Sequence, residues 1–141
     1  MSDYAEESLA LTHAAVMEML SASILKAEEI GQPQCIVIVD ASGEPLGEIR
    51  MSGAKYLSRK SARAKARTSA SIGAASAAIP ESVRPLIALA TDGEVTGLGG
   101  GLPIRLKGIL VGGIGVGSGS PDQDLAVAEA ALAAIGADRP D

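Results

Sequence analysis

Phenylalanine and tryptophan are absent from these 141 residues, and Tyr4 and Tyr56 are the only aromatics. A core without large rings must come from Ala, Val, Ile and Leu, and little is left on which a flat ligand could stack. Cys35 is alone, which excludes a disulfide within the chain. His13 is the only histidine, so no His/Cys/carboxylate set has metal-ligand spacing, and ordinary Ser-His-Asp or Cys-His triads drop out. No apolar run reaches the roughly 18 residues of a spanning helix. The acidic start, MSDYAEES, is unlike a signal peptide, so a cytoplasmic protein without a membrane anchor is expected. Basic residues are outnumbered 12 to 17, and the net charge of −5 argues against a nucleic-acid surface beyond a local stripe.

What is abundant is glycine, 17 residues, ten of them crowded into the segment GLGGGLPIRLKGILVGGIGVGSGS. Two phosphate-binding fingerprints fail here. A P-loop ends in Lys followed by Ser or Thr, but Lys107 is followed by Gly108. A dinucleotide loop needs GxGxxG, and counting from Gly113 or Gly115 puts Ser118 or Ser120 in the third glycine's place. Residues 108–117 read instead as a strand with Leu110, Ile114 and Val116 on one face. The other face carries Ile109, Val111, Gly113, Gly115 and Gly117, so its second half is bare backbone. Such a run marks close approach by a ligand or by another backbone, and the pattern alone leaves both open.

Elsewhere the chain reads as one domain. Thr12 is placed to cap a helix of about five turns ending before Gly31, with Val16, Leu20, Ile24 and Ala27 as its apolar stripe. Residues 34–51 read as a β-hairpin around ASGEP, and 57–72 as a second helix. LIALATDGEVTGLGGG reads as two short strand-like runs about a turn at Asp92-Gly93, and 122–135 as the last helix. The order helix, strands, helix, strands, helix implies an α+β domain with a largely antiparallel sheet. On the second helix Arg59, Lys60, Arg63 and Arg67 share one sector, the pattern of a solvated basic face. Lys65 lies roughly opposite, a lone cation among small residues, placed either to snorkel or to point into a site.

Several ordered motifs resemble a known family. Val39-Asp40, Gly43, Arg50-Met51 and Gly53-Ala54 come first, followed by Lys65-Ala66 with Thr68, then Gly99 to Pro103, and finally IGVGSGSPDQDLAVAEA. Their order and spacing over residues 9–136 are similar to the GlcG/HbpS family, also called the haem-degrading domain family, which includes the C-terminal domain of PduO-type proteins. The resemblance implies a single profilin-like domain over 1–141, an antiparallel sheet flanked by helices, assembled as a homo-oligomer. Its members include haem- or corrinoid-associated binding proteins and small proteins of catabolic operons. The family's motif positions fall on Arg50, Lys65, Thr68, Gly99, Gly100, Gly101, Pro103 and Asp124. Two positions depart from the pattern: Glu44 stands where many relatives have His, and Gly117 where many have Ser.

Haem requires an axial ligand and an apolar slot. His13 at a helix start, Cys35 inside an apolar strand, and Met51 and Tyr56 offer little for it, so haem is weakly supported and the cofactor is unassigned. The GGGLP stretch offers backbone amides for a carboxylate or oxyanion. Lys65 could neutralise that anion or act as a base or imine-forming amine. Asp124, in the first turn of the last helix, could simply favour the helix dipole. The expectation is an oligomeric protein that binds a small ligand, an organic anion or a tetrapyrrole. The competing expectation is a small isomerase, lyase or imine hydrolase working through Lys65.

Overall fold

The structure, a computed structural model, describes residues 3–140; Met1, Ser2 and Asp141, which belong to the terminal stretches read above, lie outside it. The elements are α1 (His13–Glu29), β1 (Cys35–Asp40), β2 (Pro45–Arg50), α2 (Ser58–Ile72), α3 (Arg84–Ala90), β3 (Gly101–Leu106), β4 (Ile109–Gly117) and α4 (Pro121–Ala134). Two short 3-10 turns, at 76–78 and 81–83, precede α3. The four strands form one antiparallel sheet in the order β2-β1-β4-β3. This is the α+β architecture, and it has three layers.

One face of the sheet packs Ile36, Ile38, Leu102, Ile104, Ile114 and Val116 against Val16 and Met19 of α1 and Val127, Ala128, Ala131 and Leu132 of α4. The other face sets Cys35, Val37 and Val39 against Ala62, Ala66 and Ala70 of α2. β1 is buried at every position from Cys35 to Val39 because it is a central strand with a helix over each face. Thr12 caps α1 by accepting from the Ala15 amide at 3.2 Å. A capping box of Ser120 and Gln123 starts α4 one residue earlier than the sequence suggested. The buried stripe of α1 runs through Val16, Met19, Ser23 and Ala27, so Met19 replaces Leu20 and Ile24 as its centre.

The glycine strand answers the open question of its bare face. A Cβ at Gly113 would collide with the Ala66 carbonyl and lie 2.9 Å from the Ala70 nitrogen; one at Gly115 would collide with the Ala62 carbonyl and lie 2.5 Å from the Ala66 nitrogen. The backbone of α2 therefore rests directly on β4, with alanine on the helix and glycine on the strand. That face is filled by the chain itself and offers nothing to another copy.

Three expectations need correction. LIALA is not a strand but the short helix α3, entered through Pro85, whose fixed φ suits a helix start. No strand directly follows the Asp92 turn either; β3 begins at Gly101, so three of the five residues read as the GGGLP loop are sheet, and Pro103 is tolerated because β3 is an edge. The strict alternation in β4 breaks at Val111. Ile104 pairs with Gly112 but Arg105 with Leu110, which leaves Val111 as a bulge that joins the α1/α4 core.

Candidate functional site

Two polar regions bracket α2. The first is buried at the sheet's α4 end. The Lys65 Nζ donates to the Val116 carbonyl at 2.8 Å and to Asp124 Oδ2 at 3.1 Å, and the two side chains are only 7% and 3% exposed. Asp124 Oδ1 accepts from the Gly119 amide at 3.0 Å. Gly100 lies against the amine, since a Cβ there would sit 3.1 Å from Nζ. Gln34 is fully buried nearby: a Cβ at Gly119 would lie 2.8 Å from Gln34 Nε2 and 2.9 Å from Asp124 Oδ1. Neither polar atom of the Gln34 side chain has a hydrogen-bond partner among the described residues.

The positions singled out in the sequence thus divide. Lys65, Gly100 and Asp124 meet. Gly101 adjoins them, but its amide donates to Ser76 Oγ at 2.9 Å. Thr68, one turn along α2, donates to the Ala64 carbonyl at 2.7 Å and accepts from the Thr96 amide at 2.9 Å, fixing the segment before β3. Gly99 packs near Pro121, and Pro103 lies in β3 opposite Gly113. As placed, Lys65 and Asp124 tie α2, β4 and α4 together. Two of the amine's three N–H groups are committed in doing so.

Arg50 is elsewhere. It ends β2 directly opposite Cys35, so its side chain shares the α2 face of the sheet with Cys35, and Glu48 likewise with Val37. There a cleft of about 370 Å³ opens between β1, β2 and α2, lined by Cys35, Val37, Glu48, Ile49, Arg50, Arg59, Lys60 and Arg63. Four cations surround one carboxylate over a buried, largely apolar floor. Arg63 Nη2 donates to both oxygens of Glu48, at 2.9 and 3.1 Å, while its Nε is buried with no partner. The Arg59 guanidinium lies 4.5 Å above the Tyr56 ring. Arg50 and Lys60 take part in no ion pair among the described residues.

The cleft has no strong ligand for iron. Burial pushes the Cys35 thiol above its ordinary 9.0, against smaller downward pulls from a hydrogen bond with Ser118 and from the charges of Arg50 and Arg59. It therefore stays a neutral thiol near neutral pH. His13 is exposed on α1, in the opposite layer, and the Met51 sulfur accepts from the Gln34 amide at 3.4 Å. No group of three His, Cys, Asp or Glu is placed to hold a metal among the described residues, and no described helix is long and apolar enough to cross a membrane.

Arg59, Lys60 and Arg63 read from sequence as a solvated face. Their helical spacing was visible, but their convergence with an arginine on an edge strand needs the register of β1 with β2. Gln34, Ser76 and Ser118, which complete the buried node and its surroundings, carried no signal in the sequence.

The fold and site define a three-layer α+β domain with a basic cleft on the α2 face of its sheet. Comparison makes the assignment specific. A family model described as haem degrading protein HbpS-like matches residues 11–133, and the chain belongs to that family. The corrinoid adenosyltransferase PduO of Citrobacter freundii is 34% identical over 135 residues; the match takes in 92% of this chain but only 40% of that protein's length. Among solved structures, a complex of PduOC with heme has a TM-score of 0.86 at 30% identity, covering 94% of this chain and 100% of that one. The ORFY protein of Klebsiella pneumoniae has a TM-score of 0.90 at 27% identity, covering 96% of this chain and 97% of that one.

Proposed function

We propose that this chain is a small-ligand-binding domain whose ligand is an organic anion held in the cleft between β2 and α2. One observation carries the reading: four cations converge on a concave site with a buried floor, in a chain whose net charge is −5. Such focusing concentrates anions at the cleft and is strengthened by the low-dielectric floor. Arg50 and Lys60 supply charge that no ion pair among the described residues neutralises, and the Arg59 guanidinium lies over Tyr56 with no carboxylate paired to it there.

A haem-type tetrapyrrole belongs to this ligand class through its two carboxylates, and the PduOC complex with heme supports it as a member. The cleft fits those carboxylates and not the iron, because the one soft atom on its floor is a protonated thiol. When bound, the group would bring its redox chemistry, while this chain's residues would grip its acidic edge. The reading extends to self-association, supported by Leu86, Leu89 and Leu98, which are exposed at 65, 81 and 57%.

The test is a titration of hemin into the wild type, Arg50→Gln/Lys60→Gln and His13→Ala. The double variant should weaken binding at least tenfold, and added salt should weaken the wild type similarly. His13→Ala should leave it unchanged. Tight binding that disappears in His13→Ala and survives the double variant refutes the cleft. Light scattering that finds only monomer at micromolar concentration removes the self-association.

A further inference from the structure

Glu48 is the only acid in the basic cleft, and its contact with Arg63 is an incomplete one. Both carboxylate oxygens share a single guanidinium nitrogen, Nη2, instead of meeting two parallel N–H groups. Nε, beside it on the same edge of the fork, is left over, buried and without a partner among the described residues. Both side chains are 40% exposed, in the range where an ion pair contributes little to stability. Glu48 stands on β2, an edge strand, and no second interaction among the described residues anchors its carboxylate. It can leave Arg63 by rotating toward water without disturbing the fold.

We infer that Glu48 is a resident carboxylate that sets the ligand specificity of this cleft. This rests on the anion-binding reading above. A ligand with one acidic group is served by Arg50, Arg59 and Lys60, whose charges are not engaged by any carboxylate among the described residues. A ligand with two acidic groups meets Arg63 as well, and its second carboxylate takes the place of Glu48. Two parallel N–H bonds from Nε and Nη2 then replace the one-nitrogen contact, and Glu48 moves out into solvent. The cleft thereby selects dicarboxylates over monocarboxylates, and Glu48 competes with the second carboxylate for the same guanidinium.

The experiment is calorimetric titration of the full chain with succinate and with acetate, using wild type, Glu48→Gln and Glu48→Gln/Arg63→Gln. Removing the competing charge should tighten succinate about tenfold, the equivalent of 1.4 kcal/mol, and change acetate less than about threefold. The double variant should lose the gain, since the gain acts through Arg63. Succinate binding to Glu48→Gln that is equal to or weaker than wild type overturns the role of Glu48 while leaving the anion site standing. So does an equal gain for acetate and succinate, which would reduce Glu48 to a nonspecific charge. Failure of wild type and Glu48→Gln alike to bind either anion at millimolar concentration removes the anion site itself, and the specificity role with it.

Discussion

Replacing Lys65 by Met separates structural from ligand-related roles for the buried amine. The sequence placed Lys65 either to snorkel to water or to point into a site. In the structure, the substitution strands Asp124, 3% exposed at its side chain, with the Gly119 amide as its remaining partner, and deprives the Val116 carbonyl of a donor at 2.8 Å. Breaking a buried pair by removing one partner costs about 3–5 kcal/mol. That is a large share of the roughly 5–15 kcal/mol that holds a domain of this kind. For a chain of this length it corresponds to a fall in Tm of about 10–17 °C. Urea unfolding should be followed by far-UV circular dichroism, because the chain has no tryptophan. Lys65→Met/Asp124→Asn should recover about half the loss, since Asn removes the stranded charge and keeps an acceptor for Gly119. Arg63→Met, at a pair 40% exposed on each side, should cost no more than about 1 kcal/mol. A Lys65→Met protein within about 1 kcal/mol of wild type, or a double variant less stable than the single, would show that the pair contributes little.

Two further outcomes follow from the packing around α2. Gly115→Ala forces a methyl group onto the Ala62 carbonyl, backbone that cannot rotate away, and should cost about 3 kcal/mol or open the helix from the sheet. Gly99→Ala, whose Cβ would make an ordinary 3.6 Å contact with Pro121, should stay within about 0.5 kcal/mol, and equal costs at the two sites would refute the close packing. Cys35 tests the floor of the cleft. Its folded pKa lies above the ordinary 9.0, so the native state holds the proton more tightly than the unfolded chain. Its share of stability is therefore complete below about pH 9 and declines as the pH rises beyond that, a slope that Cys35→Ala should remove. Iodoacetamide should label native Cys35 much more slowly than the urea-unfolded chain at pH 8, and equal rates would show an open thiol.

Some of the fold was legible because local rules govern it. Thr12 is a small polar residue immediately before an apolar helical pattern, and capping is a matter of a few neighbouring residues, whereas the Ser120 cap of α4 was not read. The hairpin of β1 and β2 follows from apolar runs on either side of a turn sequence. Lys65 stood out because a cation amid Ser and Ala on a helix face is unusual, and the structure does bury it beside Gly100 and Asp124. The LIALA segment misled because five apolar residues are too few to separate a 3.6-residue period from a two-residue one. Val111 misled because a bulge is a property of the pair, visible only when β3 is laid against β4.

By itself, the sequence determined the α+β order, the antiparallel preference, the cap of α1, and the solitary thiol and histidine. All of these are set by residues within a few positions of one another or by composition. Tertiary structure alone decided what covers the glycines of β4, and it decided that the amine of Lys65 meets Asp124, 59 residues away. It also decided that Arg50 on an edge strand and three cations of α2 face one another across a single carboxylate. The physical reason is the same in each case. Periodicity gives the direction of a side chain relative to its own element, while the partner it meets depends on strand register and layer packing, which no single element encodes.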